Sequence, residues 1–168
     1  MNSLKLIIIS CSIILLLILL LLITHLLTKN FKSKINNDGK LKISFGIWYS
    51  AIFLSGANVI SIVINTLSEV VDNLIKIRPV NLYLELIKIT SLVIGVGFTW
   101  LILWFIVIKF LTKITHLKMD ENEEMDDDNF SYFIIKGIML FAIIFSLSSI
   151  LSLILRLFIP NIETPFYH

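Results

Sequence analysis

Four long apolar runs occupy most of this chain and limit what it can fold into. They cover residues 5–27, 43–67, 87–111 and 130–155. Each is long enough to cross the ~30 Å hydrocarbon core of a bilayer, which takes ~20 helical residues at a rise of ~1.5 Å per residue. Hydrophobic residues make up 57% of the chain, whereas soluble domains contain roughly 45–50%. The sequence therefore predicts an all-α integral membrane protein built as one bundle of four transmembrane helices, at about 5–27, 43–78, 87–112 and 130–157.

The N-terminal run predicts a retained helix. It is longer than the ~7–15 apolar residues of a secretory signal, and no small-residue cleavage site precedes Lys29. Cys11 follows Ile8-Ile9-Ser10 as in a lipoprotein-processing site, but the apolar run continues well past the cysteine. We therefore expect the first helix to stay in the membrane.

The lysines and arginines predict the orientation of the chain. Nine of the 14 lie in or beside the first and third loops, namely Lys29, Lys32, Lys34, Lys40, Lys42, Lys109, Lys113, Lys118 and Lys136. The other five are Lys5, Lys76, Arg78, Lys88 and Arg156. Since cytoplasmic loops carry the positive excess, we expect loops one and three in the cytoplasm and both termini outside.

The composition and the scattered reactive residues disfavour several function classes. A net charge of +2 gives no basic excess for nucleic acid. The single cysteine, Cys11, excludes an intramolecular disulfide and a thiolate metal cluster. His25, His116 and His168 lie in separate segments, and neither a phosphate-binding glycine loop nor an activated serine motif occurs. We expect no catalytic residue, no cofactor and no metal, and therefore a non-enzymatic protein.

The first and third runs end alike, in Leu27-Thr28-Lys29 and Leu111-Thr112-Lys113, and a charged loop and another helix follow each. In this layout the chain, over about residues 5–157, resembles bacterial four-helix membrane proteins built from a duplicated two-helix unit, whose function is unassigned. The resemblance implies a fold and a place in the bacterial inner (plasma) membrane. It implies no chemistry and carries no functional residue over.

A stripe of small and polar side chains follows one face of the second helix. It comprises Ala51, Ser55, Asn58, Ser61, Asn65, Ser68 and Asp72, at steps of three and four residues. Because an unpaired Asn is costly in the hydrocarbon core, the stripe must face another helix, another subunit or water. The stripe has three interpretations, namely helix packing, a polar pathway at an oligomer axis and a partner-protein surface.

The fourth helix carries a matching stripe with Ser146, Ser149, Ser152 and Arg156. We expect it to face the second helix, with Arg156 paired to Glu69 or Asp72; the alternative is that Arg156 reaches lipid headgroups. The third helix carries Ser91, Gly95 and Thr99, a ladder of small residues that predicts close helix packing.

The charged loops predict contacts at the bilayer surface. The loop at 118–129 holds seven acidic residues, Asp120, Glu121, Glu123, Glu124, Asp126, Asp127 and Asp128. Such a run is typical of a solvated linker, although it could hold a cation or face the basic first loop. Asp127, Asp128 or Asn129 is expected to cap the fourth helix. Lys29, Lys32 and Lys34 are expected to bind anionic lipid headgroups.

The leading functional hypothesis is a small structural or accessory subunit of a membrane complex. Its partners would be the lipid bilayer and either copies of itself or other membrane subunits. The alternative is an oligomeric pore or channel, of which a membrane-permeabilising effector is one version, with Ser55, Asn58, Ser61 and Asn65 lining the pathway.

Overall fold

The structure is a computed structural model that describes residues 2–31, 34–36, 38–77, 79–114 and 120–160. Its elements are helices, and no strand occurs within those ranges. They are α1 (Asn2–Thr28), α2 (Ile43–Ile77), α3 (Leu82–Ile114), α4 (Glu121–Asp126), α5 (Phe130–Ser146) and α6 (Ser148–Arg156).

Three of these helices, α1, α2 and α3, are each long and apolar enough to cross a membrane. The α5–α6 pair makes a fourth candidate span if its bend of 43° lies within one crossing. We call the end of the bundle with α4 and the α1–α2 loop the α4 end, and the end with the α2–α3 turn the hairpin end.

α2 is the central helix and packs against α1, α3, α5 and α6. Small residues allow these close approaches. A Cβ atom added to Gly137 of α5 would lie 2.7 Å from the Ala51 Cβ of α2, and one added to Gly97 of α3 would lie 2.5 Å from Val63 Cγ2. The sites of closest packing therefore include Gly97 and Gly137.

The predicted ladder of α3 does not pack against the described part of the chain. Ser91, Gly95 and Thr99 are exposed, and a Cβ on Gly95 would meet no atom within 4 Å. Instead Gly97, two residues later and on another side of the helix, faces α2. The ladder remains as an outward surface of small residues.

The fourth apolar run is not one straight helix. It breaks at Leu147 (φ −95°, ψ 9°) between α5 and α6. Ser146, Ser148 and Ser149 surround the break. Serine hydroxyls compete for backbone hydrogen bonds and weaken a helix, and kinks occur at such sites. The bend turns α6 relative to α5.

α2 and α3 extend past the predicted hydrophobic spans at the hairpin end. They hold 35 and 33 residues, so each is about 50 Å long at the helical rise. Val70, Val71 and Leu74 of α2 pack with Leu86 of α3 in a small apolar cluster of their own. This cluster explains why α3 begins at Leu82, five residues earlier than the hydropathy predicts.

Candidate functional site

The acidic third loop folds back onto the bundle as the short helix α4. Asp120 caps its first turn by accepting a hydrogen bond from the Asn122 backbone amide at 3.1 Å. Glu124 and Met125 are the residues of α4 whose side chains are buried against the bundle. The segment therefore differs from a solvated linker, because Lys42 just before α2, Lys109 of α3 and Lys136 of α5 hold it in place.

Lys136 of α5 is the main partner of α4. Its side chain is fully buried, and its ammonium forms an ion pair and hydrogen bond with Glu121. The same ammonium lies 4.6 Å from the Trp48 ring centroid and 5.7 Å from that of Tyr132. Lys109 Nζ of α3 approaches the other Glu121 oxygen at 3.6 Å. The Glu121 carboxylate thus faces the ammonium groups of Lys136 and Lys109, and two aromatic rings lie beside the Lys136 ammonium.

Lys42 holds the other end of α4. Its buried Nζ donates hydrogen bonds to the carbonyl oxygens of Met125 and Asp126, at 2.9 and 2.8 Å. A cation at the C-terminal carbonyls of a helix suits both the helix dipole and the unpaired acceptors there. Three lysines that contact α4, Lys42, Lys109 and Lys136, and the two rings beside Lys136, Trp48 and Tyr132, form a side-chain cluster covered by α4, which we call the lysine pocket.

Asp128 joins α4 to the start of α2. Its Oδ1 accepts a hydrogen bond from the Ser44 backbone amide at 2.9 Å. Partial burial raises the pKa of Asp128, but hydrogen bonds from Ser44 and the Lys42 charge outweigh it and hold the pKa below its usual value. Asp128 has a left-handed backbone (φ 51°), a conformation uncommon outside glycine that Asp tolerates better than most residues. Asn129 then caps α5, where its Oδ1 accepts from the Tyr132 amide at 3.4 Å.

A second polar feature lies between α2 and α6, toward the hairpin end. It is an open groove with a volume of about 520 Å³, which we call the polar groove. Its lining is mostly hydroxyl, amide and charged side chains, namely Asn65, Thr66, Ser68, Glu69, Ser148, Ser149, Ser152 and Arg156, with Ile62. Polar groups on the outside of an apolar bundle need a polar neighbour if this surface lies in a bilayer.

The α2 stripe does not face one environment along its length. Ser55 is buried and donates to the Ala51 carbonyl at 2.8 Å, so it is satisfied within its own helix. Asn58 is half-buried, and its Nδ2 has no partner among the described residues. Ser61 and Asn65 are exposed. A repeat of three and four residues drifts around a helix of 3.6 residues per turn, so the stripe turns from the core toward the polar groove.

The residues predicted for the stripe of the fourth helix have different positions in α5 and α6. Ser149 and Ser152 line the polar groove, whereas Ser146 is exposed beside the bend and does not line it. The Arg156 Nη2 atom lies 4.0 Å from Glu69 Oε1, and both side chains are more than half exposed. Asp72 pairs instead with Lys5 of α1, at 2.6 Å.

The lysines predicted to bind lipid headgroups are only partly described. Lys29 is exposed, and the Lys34 ammonium lies 5.5 Å from the Phe45 ring centroid. Lys32 lies outside the described residues. Within the described ranges, no three His, Cys, Asp or Glu side chains come close enough to one another to hold a metal ion.

Sequence reasoning missed the lysine pocket. Lys136 was counted only among the charges that set orientation, and Trp48 was not singled out as a site residue. The signal was a lysine six residues inside the fourth apolar run. A charge at that position needs a partner when it is buried, and the acidic segment just before it supplies one.

No protein-family model matches this chain, and comparisons with curated proteins and with solved structures gave no match. The resemblance to duplicated four-helix membrane proteins therefore stays a prediction.

Proposed function

We propose that this protein is a small integral membrane protein that acts, without catalysis, as an accessory subunit of a membrane complex. The α5–α6 pair would be its fourth crossing. The excess of lysine around the α1–α2 and α3–α5 connections supports an orientation with the α4 end in the cytoplasm and both termini outside, as in a bacterial inner membrane.

The observation that carries this proposal is the polar groove between α2 and α6. It opens on the outside of the bundle, and Glu69 and Arg156 in it are more than half exposed. Membrane helices associate through small and polar residues at such surfaces. A partner helix that carries hydroxyl or amide side chains would satisfy the groove, which lipid tails cannot do.

The exposed ladder of α3 supports association as well. Ser91, Gly95 and Thr99 present a thin strip of helix on which another helix backbone can come close. Thr99 Oγ1 already donates to the Gly95 carbonyl at 2.8 Å, so this hydroxyl needs no hydrogen bond from a partner. The polar groove and the ladder would be two separate contact surfaces.

A photo-reactive amino acid in place of Ser152 tests the proposal. Ser152 lines the polar groove, whereas its neighbour Leu153 is 64% exposed on another side of the same helix and serves as the matched control. In native membranes we expect a discrete protein adduct from position 152 and none from position 153. Equal labelling at both positions, or no protein adduct at either, would reject a partner at the groove.

An oligomeric pore is the second candidate, favoured by Ser61 and Asn65, which are exposed on the α2 stripe. If copies assemble around this surface, the two side chains would line a shared aqueous path. Adducts from position 152 would then contain only copies of this chain. The purified protein would conduct ions across planar bilayers, and Asn58→Leu/Asn65→Leu would change that current. A folded oligomer that conducts no ions would reject the pore, and the accessory role would remain the proposal.

A further inference from the structure

We propose that the lysine pocket is a binding site for a phosphate-bearing anion and that α4 is its internal, displaceable occupant. The proposal is independent of the accessory role, because the pocket and the polar groove lie toward opposite ends of α2.

One carboxylate serves two of the pocket lysines. Lys136 is fully buried, and both Lys136 and Lys109 pair with Glu121. Lys42, which is 5% exposed, donates to backbone carbonyls and lies near the Asp128 carboxylate. Lysine is a common phosphate ligand, and a phosphate group with up to two negative charges would match the two ammonium groups that share Glu121.

Trp48 adds a buried hydrogen-bond donor next to Lys136. Its side chain is fully buried, and its indole Nε1–H has no acceptor among the described residues. The Lys136 ammonium lies over its ring, so the indole is part of the pocket wall. A buried donor without an acceptor is costly, and a phosphate oxygen that enters the pocket would be such an acceptor.

α4 is held in a way that permits displacement. It has six residues, too few for a stable helix by itself. Its one apolar anchor is Met125, which is fully buried in the main hydrophobic core, and its other described contacts are the polar ones with the lysines and Ser44. Elements with few apolar contacts open locally at low free-energy cost. A competing anion replaces the interactions of Glu121 and so lowers that cost further.

The depth of the pocket indicates where the anion comes from. Lys136 is six residues after the start of α5 at Phe130, or ~9 Å along the helix axis. In a protein that spans the membrane, a long lysine side chain at this depth reaches toward the phosphates of the bilayer surface. A phospholipid headgroup and free phosphate share the recognised chemistry, and the experiment separates them.

Maleimide labelling of Met125→Cys in a Cys11→Ser background reports release of α4, since Met125 is fully buried. Asn122→Cys, on the exposed side of the same helix, is the matched control for intrinsic reactivity. The protein is placed in nanodiscs of phosphatidylcholine alone, of phosphatidylcholine with phosphatidylglycerol, or of phosphatidylcholine with inorganic phosphate in the buffer. We expect phosphatidylglycerol to accelerate labelling at position 125 by about tenfold, which corresponds to ~1.4 kcal/mol, and to leave position 122 unchanged.

Lys136→Met separates binding from simple repulsion between anionic lipid and the acidic helix. Repulsion would persist in this variant, whereas binding requires the ammonium, so we expect the lipid dependence to disappear. Lys109→Gln, at a more exposed position, should reduce it if Lys136→Met does not fold. Acceleration by inorganic phosphate alone would support the site and assign it to a soluble anion. The proposal is overturned if neither anion changes the rate at position 125, or if Lys136→Met and Lys109→Gln both keep the full lipid dependence.

Discussion

Replacing Glu121 with Gln removes the carboxylate that faces the buried Lys136 ammonium while it keeps the shape of the side chain. Removal of one partner from a fully buried ion pair costs ~3–5 kcal/mol, because the remaining charge is left without compensation. Two features of the structure reduce that figure. Glu121 keeps 21% side-chain exposure, and the Trp48 ring stays beneath the ammonium, where a desolvated cation–π contact contributes ~2 kcal/mol. We expect Glu121→Gln to destabilise the protein by about 2 kcal/mol.

The reverse replacement, Lys136→Met, should cost less. The side chain that stays behind is then Glu121, which is partly exposed and still has Lys109 Nζ at 3.6 Å. Methionine fills the volume of the lysine stem without a charge, and such apolar replacements of buried ionic groups are often tolerated. We expect a loss below about 1 kcal/mol, and we expect the double variant to be more stable than Glu121→Gln alone.

Reversible unfolding in mixed detergent micelles, followed by tryptophan fluorescence, measures all four proteins of this double-mutant cycle. The diagnostic result is the order of the single variants, with Glu121→Gln less stable than Lys136→Met. The opposite order would refute the reasoning. It would mean that an unpaired Glu121 carboxylate lowers the stability more than an unpaired, buried Lys136 ammonium does.

Three further predictions follow from the packing and the charges. Gly137→Ala should destabilise the bundle by ~1–3 kcal/mol in thermal unfolding, because its Cβ would meet α2 at 2.7 Å, whereas Gly95→Ala, in open space, should not. The pKa of Asp128 is lowered in the folded protein, so its contribution to α4 docking is complete above the ordinary Asp pKa of ~4 and is lost as pH falls through the lower folded value. The difference in the labelling of Met125→Cys with and without Asp128→Asn should therefore vanish in acid, and a constant difference would contradict this. Arg156→Glu and Glu69→Arg should each reduce membrane expression modestly, since exposed pairs contribute under ~1 kcal/mol, and the double reversal should restore it; no rescue would mean that the pair is incidental.

The lengths of the apolar runs predicted the large elements of the fold, because a span needs little beyond ~20 apolar residues. The bend at Leu147 was not predicted. Its serines also fit a straight helix with a polar stripe, and only the packing of α6 decides between the two. The start of α3 at Leu82 was missed for a similar reason, since it depends on apolar contacts with α2 beyond the span.

The candidate sites were predictable only where they follow from helical periodicity. That periodicity placed Asn65 and Ser152 on faces that meet in the polar groove. It did not reveal that Ser55, on the same stripe, is buried. The lysine pocket depends on a chain reversal that brings Glu121 back to Lys136, and hydropathy carries no information about such a reversal. The sequence also left three candidates for the α5 cap, of which Asn129 is the residue that makes the capping hydrogen bond.

The peripheral position of α1 has a consequence for assembly. α1 packs mainly against α2, and 17% of the residues in its most apolar stretch are buried, against 39% in α2 and in α3. A helix this apolar is stable in a bilayer before it docks. Docking adds Leu16 and Leu20 to the core that α2, α3 and α5 share, where Leu20 lies against Gly56. If α1 of a neighbouring copy took that place, the same contacts would be broken and remade.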